Sequence, residues 1–169
     1  LLDMAAIEQV QACWEDMGDC LDTGDVTPVT YINSAASLKA FCGRHGGIVC
    51  TSSNAAAVLQ WAFKRTGRVL FFPDQHLGRN VALRMGIPVQ RMPVWDPYDE
   101  NLGGNTRVDI AGSKVLLWKG HCSVHQMFKA EHVRMFREKF PGIKILVHPE
   151  CPREVNDLAD VSGSTGKII

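Results

Sequence analysis

Apolar and polar positions along the chain alternate in blocks that predict strands and helices in turn. Five short runs are rich in apolar and β-branched residues: "VTPVTYI" at 26–32, "GIVC" at 47–50, "RVLFFP" at 68–73, "KVLLW" at 114–118 and "KILVHP" at 144–149. Strands that are apolar throughout are typical of a parallel sheet that is buried on both faces. The segments between them, such as 54–66 and 129–142, have apolar residues at helical spacing. We therefore predict a three-layer αβα fold with a mainly parallel sheet.

The length and the two ends of the chain bear on its domain organisation. The 169 residues are enough for one α/β domain with its own core, so we predict a single domain over 1–169. The chain does not open with Met, and "GSTGKII" at its end stops as a new apolar run begins. These ends indicate a fragment of a longer polypeptide. The segment 88–113 is rich in Pro, Asp, Asn and Gly, which predicts a long surface loop or insertion.

Charge and composition exclude several classes of partner. The chain has 18 basic and 18 acidic residues, and this balance provides no excess charge to attract nucleic acid or a membrane surface. No apolar run approaches the length of a membrane span. The six cysteines are irregularly spaced in a chain rich in aliphatic residues, which favours reduced thiols. We therefore expect a cytoplasmic protein with neither nucleic acid nor membrane as partner.

Polar and reactive side chains follow nearly every predicted strand. Ligands of open parallel sheets bind beyond the carboxyl ends of the strands, so these side chains are the candidates for a site. They include Tyr31, Asn33, Ser52, Asp74, His76, His121, Cys122, His125, His148, Glu150, Ser164 and Thr165. We predict that one edge of the sheet gathers them around a common cavity.

The chemistry that these residues support differs from one segment to the next. "CTSSNA" places hydroxyls at a helix N-terminus, where an anion is favoured, although an ordinary N-cap explains the same residues. In "HPEC", His148 and Glu150 point to the same side of an extended chain and form an acid–base pair. Cys151 points to the other side, so we expect it to pack in the core. Cys122 in "GHCSVH" has three possible roles: zinc ligand, iron–sulfur ligand or nucleophile.

Six stretches together resemble quinolinate synthase, the iron–sulfur enzyme of NAD biosynthesis. They are "PVTYINS", "CTSSNA", "FFPDQHLGRN", "WKGHCSVHQ", "VHPECPREV" and "GSTGKII", and they occur in the family's order over nearly the whole chain. The resemblance implies the middle one of three similar α/β domains that surround a central site. It also implies a condensation of iminoaspartate with dihydroxyacetone phosphate to quinolinate, with loss of water and phosphate.

The same resemblance implies the roles of individual residues. Three cysteines, one from each domain, hold a [4Fe–4S] cluster whose fourth iron acts as a Lewis acid, and the ligand in this chain is Cys122. Tyr31 contacts the substrate together with Asn33 and also transfers a proton. Ser52 binds a carboxylate.

At the carboxyl-terminal part of the chain, the resemblance implies acid–base and positioning roles for His148 and Glu150. Ser164 and Thr165 bind an anionic end of the substrate. The other two ligand cysteines belong to the flanking domains of the same polypeptide. The isolated chain is therefore expected to hold the cluster poorly and to be inactive.

Two further hypotheses remain open from the residues alone. A zinc-dependent hydrolase would use His121, His125, His148 and Glu150, in which case the metal is zinc rather than iron. A non-catalytic binding module would bind small dicarboxylates in the fragment alone, and Cys122→Ser would leave the full-length protein active.

Overall fold

The computed structural model describes residues 4–169, and its larger part is a five-stranded sheet in which every pair of neighbouring strands is parallel. The strands are β1 (Val26–Tyr31), β2 (Ile48–Cys50), β3 (Arg68–Phe72), β4 (Val94–Trp95) and β5 (Val115–Trp118). Their order across the sheet is β2-β1-β3-β5-β4. Because they are parallel, all five strands have their carboxyl ends at the same edge, where the sequence predicts the site.

Helices cover both faces of this sheet, which confirms the predicted three-layer α/β fold. Within the described residues the helices are α1 (Ile7–Gly18), α2 (Ala36–Arg44), α3 (Ala55–Phe63), α4 (Gln75–Arg84), α5 (Arg107–Gly112), α6 (Ala130–Lys139), α7 (Arg153–Leu158) and α8 (Thr165–Ile168). Phe71 faces the layer of α3 and α4, whereas its neighbour Phe72 faces α1 and α2. Each of these rings is fully buried and contributes on the order of 2 kcal/mol of hydrophobic stabilisation. None of the helices in 4–169 is long and apolar enough to span a membrane.

A second, smaller sheet consists of β6 (Leu146–Val147) and β7 (Val161–Ser162), which are parallel to each other. The run "KILVHP" is therefore not a further strand of the main sheet. A separate small core lies beneath β6, with Val133, Val147, Cys151 and Val155 as its buried members. Residues that follow β6 and β7 consequently meet the edge of the main sheet from outside rather than extending it.

Two segments differ from the sequence expectation in their local structure. Residues 88–113 hold more regular structure than a surface loop, because β4 pairs with β5 and α5 begins at Arg107. Trp95 is buried against Gly103, whose positive φ of 60° suits a residue without a side chain. That the segment is an insertion stays a prediction. The apolar run that begins at "KII" is helical, because Lys167 and Ile168 lie in α8.

Candidate functional site

The end of β1 and the turn after β6 meet through a contact between Tyr31 and Glu150. Tyr31 is the last residue of β1, and its hydroxyl donates a hydrogen bond to Oε2 of Glu150 at 3.3 Å. Burial raises the pKa of Tyr31, and the nearby Glu150 carboxylate raises it further. The phenol therefore keeps its proton at neutral pH and is a donor in the site.

Glu150 is also flanked by two imidazoles. Its Oε2 lies 3.2 Å from Nδ1 of His148 and 3.6 Å from Nδ1 of His125. The two rings stack with centroids 4.6 Å apart and an angle of 9° between their planes. Burial lowers the pKa of His125, although the Glu150 carboxylate opposes this shift. The Glu150 carboxylate thus contacts a phenol and an imidazole and has a second imidazole nearby, an arrangement that suits proton transfer.

One oxygen of Glu150 has no partner. Glu150 is only 3% exposed, and its Oε1 is buried without a hydrogen bond in the described part of the chain. A buried carboxylate oxygen left unpaired costs free energy, and such groups commonly serve a ligand. Oε1 is therefore available to a substrate or metal ion.

Cys122 completes a group that can bind a metal ion. The ligand atoms of Cys122, His125 and Glu150 all lie within 4.8 Å of one another. Cys122 follows β5, and its thiol is partly exposed, unlike the buried thiol of Cys151. Thiolate, imidazole and carboxylate are ligands that suit a transition metal or an iron–sulfur centre.

The loop that carries Cys122 is held against the start of α4. The backbone N–H of Cys122 donates to Oδ2 of Asp74 at 3.1 Å, and the N–H of Gln75 donates to the carbonyl of Gly120 at 3.0 Å. A Cβ on Gly120 would lie 2.0 Å from the carbonyl oxygen of Pro73, so only glycine permits this approach. These contacts fix the position of the thiol relative to the sheet edge.

Asp74 is a buried residue that links α4 to this loop. Its Oδ1 accepts a hydrogen bond from the N–H of Leu77 at 2.8 Å, which caps α4. Its Oδ2 accepts a hydrogen bond from the N–H of Cys122. Burial raises the pKa of Asp74 to about 7, although the hydrogen bond from Leu77 opposes the shift. The carboxyl group therefore binds its proton more tightly in the folded than in the unfolded protein.

This shift gives Asp74 a pH-dependent effect on stability. Because the folded pKa lies above the usual 3.8, protonation contributes stability at acid pH that is lost as the pH rises from about 4 to about 7. We expect Asp74→Asn, which cannot titrate, to destabilise the protein more at pH 5 than at pH 8, by on the order of 2 kcal/mol. Urea unfolding at both pH values measures this difference.

Asp109→Asn provides a control for the Asp74 experiment. The side-chain hydroxyl of Thr106 holds the pKa of Asp109 below its usual value, so this group stays ionised throughout that pH range. Its substitution should have the same effect on unfolding at pH 5 and at pH 8. An equal effect of Asp74→Asn at both pH values would contradict the pKa shift of Asp74.

A cavity of about 450 Å³ adjoins this group on the side of α3 and α8. Ser52 and Ser164 line it together with the cations Arg84 and Lys167. Ser52 lies beside the Tyr31 phenol, whose pKa it lowers against the effect of burial. Hydroxyls and cations around one space suit an anionic group such as a carboxylate or phosphate.

The structure brings some of the sequence-predicted residues together and leaves others at the surface. Tyr31, His148 and Cys122 each lie close to the Glu150 carboxylate, and Ser52 lies beside Tyr31, whereas a common cavity for them stays a prediction. Asn33 and Thr165 are exposed. Cys151 lies in the small core beneath β6, which confirms the prediction that it packs there.

Three contributors to the site have no role in the family resemblance: Asp74 and His125, which are among the strand-end candidates, and Asn80, which no sequence pattern marked. His125 had a signal, because it stands three residues after Cys122. Asp74 had one as well, since it directly follows a strand at a helix start. Asn80 lies within a helix, where no local pattern marks it.

The sequence matches known proteins over its whole length. Residues 1–169 match the family described as quinolinate synthetase A protein. Proteins named quinolinate synthase from Rhodopirellula baltica, Corynebacterium glutamicum and Bacillus velezensis are 74%, 53% and 52% identical to it over 169 residues. These alignments cover 100% of this chain but 43%, 43% and 45% of the three relatives. The chain thus spans less than half the length of the relatives it matches.

Proposed function

The chain belongs to the quinolinate synthetase A protein family, and on this premise we propose that it is part of a quinolinate synthase. The complete polypeptide would condense iminoaspartate with dihydroxyacetone phosphate to quinolinate, with loss of water and phosphate, in NAD biosynthesis in the cytoplasm. The observation that carries the proposal is the contact of Tyr31, His148 and Glu150 beside Cys122, because this reaction needs several proton transfers next to a metal centre.

We assign the proton transfers to the residues that contact Glu150. Tyr31 holds its proton and donates it to the substrate, and Glu150 accepts and returns protons through Oε2. His148 orients the Glu150 carboxylate and exchanges protons with it across 3.2 Å. All three side chains are less than 10% exposed, so water is largely kept from the reacting atoms.

The anionic groups of the substrates are assigned to the hydroxyl-lined cavity. Ser52 binds a carboxylate next to the Tyr31 phenol, and Ser164 and Thr165 bind the other anionic end. Asn33 follows the end of β1 by two residues, so its amide contacts the substrate from the same side as Tyr31. Asn33 and Thr165 are exposed at the edge of the site, where the substrate and the rest of the polypeptide would cover them.

The residues present fit one ligand position of a [4Fe–4S] cluster. Cys122 offers a partly exposed thiol, whereas burial raises the pKa of Cys50 to about 12 and that of Cys151 to about 11. These two thiols stay protonated in the core, so of these three cysteines Cys122 is the one suited to bind iron. The other ligand cysteines would come from flanking domains of the same polypeptide. When bound, a cluster with one iron free of protein ligands supplies a Lewis acid for a substrate oxygen.

The two other hypotheses have less support. The metal-capable group of the described residues contains one imidazole, that of His125, rather than the several that a zinc-dependent hydrolase would use. A binding module without catalysis does not account for a buried carboxylate, phenol and imidazole in direct contact beside a thiol. Reconstitution of the full-length protein tests the hydrolase, and the activity of Cys122→Ser tests the binding module.

The proposed function is tested with the full-length protein and with the fragment 1–169, both reconstituted with iron and sulfide without oxygen. We expect the full-length protein to be brown and to form quinolinate from iminoaspartate and dihydroxyacetone phosphate, and the fragment to form none. A colourless full-length protein that holds zinc and makes no quinolinate would overturn the proposal in favour of the hydrolase.

A further inference from the structure

Asn80 lies on α4 and binds the backbone on both sides of Glu150. Its side chain is 4% exposed, and Nδ2 donates to the carbonyl of Pro149 at 2.8 Å and to that of Cys151 at 2.9 Å. Two carbonyl acceptors can be satisfied only by the amide nitrogen, so the orientation of this amide is fixed. Asn80 therefore restrains the peptide groups that flank the site carboxylate.

The same helix also holds the loop that contains Ser164. One turn after Asn80, Arg84 donates from Nη1 to the carbonyl of Ser162 at 3.1 Å and from Nη2 to its Oγ at 3.2 Å. Ser162 directly precedes Gly163 and Ser164, which line the anion cavity. One face of α4 thus contacts both the turn at 148–151 and the loop at 162–164, which follow the two strands of the smaller sheet.

Asn156 on α7 connects these two contacts. Its Nδ2 donates to the carbonyl of Cys151 at 2.9 Å, and its Oδ1 accepts from Oγ of Ser162 at 2.6 Å. Nε of Arg84 donates to the carbonyl of Asn80 at 3.2 Å, which closes a ring of hydrogen bonds. Because each group is bonded to the next, the turn at 148–151 and the loop at 162–164 keep one relative position.

We propose that Asn80 is a positioning residue for the reaction, which sets Glu150 against Tyr31 and couples it to the anion cavity through Arg84. It touches no reacting atom and acts through the backbone that carries the carboxylate. The expected effect of Asn80 on turnover rests on the proposed function. The restraint of the turn at 148–151 by Asn80 does not depend on it.

The test is Asn80→Asp in the full-length protein. The variant keeps the size of the side chain but places a carboxylate oxygen before two carbonyl oxygens. We expect kcat and kcat/KM for quinolinate to fall together by roughly 100-fold, as a small displacement of a catalytic group does. The amide hydrogens of His148, Glu150 and Cys151, the residues of 148–152 that are not proline, should exchange with solvent roughly tenfold faster, since two hydrogen bonds that hold the turn are lost.

Asn105→Asp is the matched control. The Asn105 amide also donates to backbone carbonyls, those of Val94, Leu102 and Gly103, all at 3.0 Å, but in the segment around β4 at the sheet edge. This variant should speed exchange in 94–105 and change kcat less than about twofold. If Asn80→Asp does not fold, Asn80→Ser, which retains one donor, should show both changes to a smaller extent.

A double variant separates positioning from general destabilisation. If Asn80 acts through Glu150, Asn80→Asp should lower kcat no further in a protein that already carries Glu150→Gln. Losses that multiply, or unchanged exchange at 148–152 in both Asn80 variants, would overturn the inference. A wild-type protein that forms no quinolinate would overturn the proposed function instead, while the exchange measurement still decides on Asn80.

Discussion

Replacing Cys122 by serine in the full-length protein should abolish quinolinate formation and remove most of the bound iron. Cys122 is the thiol that follows β5 and that lies with His125 and Glu150 in the metal-capable group. A serine hydroxyl is not deprotonated at neutral pH and is a poor ligand for iron in a sulfide cluster. We expect the activity to fall by more than the roughly 100-fold that the loss of an outer-shell partner costs. Iron, acid-labile sulfide and quinolinate are measured on the same sample.

Two other cysteines provide controls for Cys122→Ser. Cys20 is partly exposed at a turn, where its sulfur lies 3.9 Å from Nη1 of Arg107, and Cys151 is buried in the small core. Cys20→Ser should keep full iron and activity. Cys151→Ser should lower stability, since it buries a hydroxyl in an apolar core, but should leave the iron content per folded protein unchanged. A Cys122→Ser protein with a full complement of iron would end the ligand assignment.

Four of the five strands of the main sheet, β1, β2, β3 and β5, could be predicted from the sequence, and β4 could not. β1 and β3 have six and five residues that are rich in apolar and β-branched side chains, so they carry enough signal to be recognised. β4 and β7 have two residues each, and only their neighbours in the folded protein make them strands. A pattern within 88–113 could have indicated α5, because Thr106 and Asp109 have the spacing of a capping box.

The site was predictable in so far as it lies at strand ends. Tyr31, Cys122, His148 and Glu150 each lie at or shortly after the end of a predicted strand, and the rule that ligands bind at the carboxyl ends of parallel strands predicts that they lie close together. The partners of Asn80 lie 69 and 71 residues away in sequence, so its role depends on how the two sheets pack. A polar residue inside a helix reveals its function only when its acceptors are known.

Glu150→Gln should lower kcat of the full-length enzyme by roughly 100- to 10,000-fold, which is the range for loss of a general acid–base group. The amide has nearly the same shape as the carboxylate, but it cannot take up a proton or carry the negative charge. Glu131→Gln is the control, since the Glu131 side chain is 77% exposed and its nearest cation is an imidazole 4.0 Å away. That variant should remain within about twofold of wild type.

The stability of Glu150→Gln shows whether its lower activity is a loss of catalysis or a loss of folded protein. Oε1 of Glu150 is buried without a partner, and a neutral amide costs less to bury than a charged carboxylate. The variant should therefore unfold at the same urea concentration as wild type or at a higher one, while its activity is lost. The wild-type Glu150 carboxylate would then be retained for function although it lowers stability, as in other sites of proton transfer. A Glu150→Gln protein that is strongly destabilised, or one that turns over at the wild-type rate, would contradict the catalytic role of Glu150.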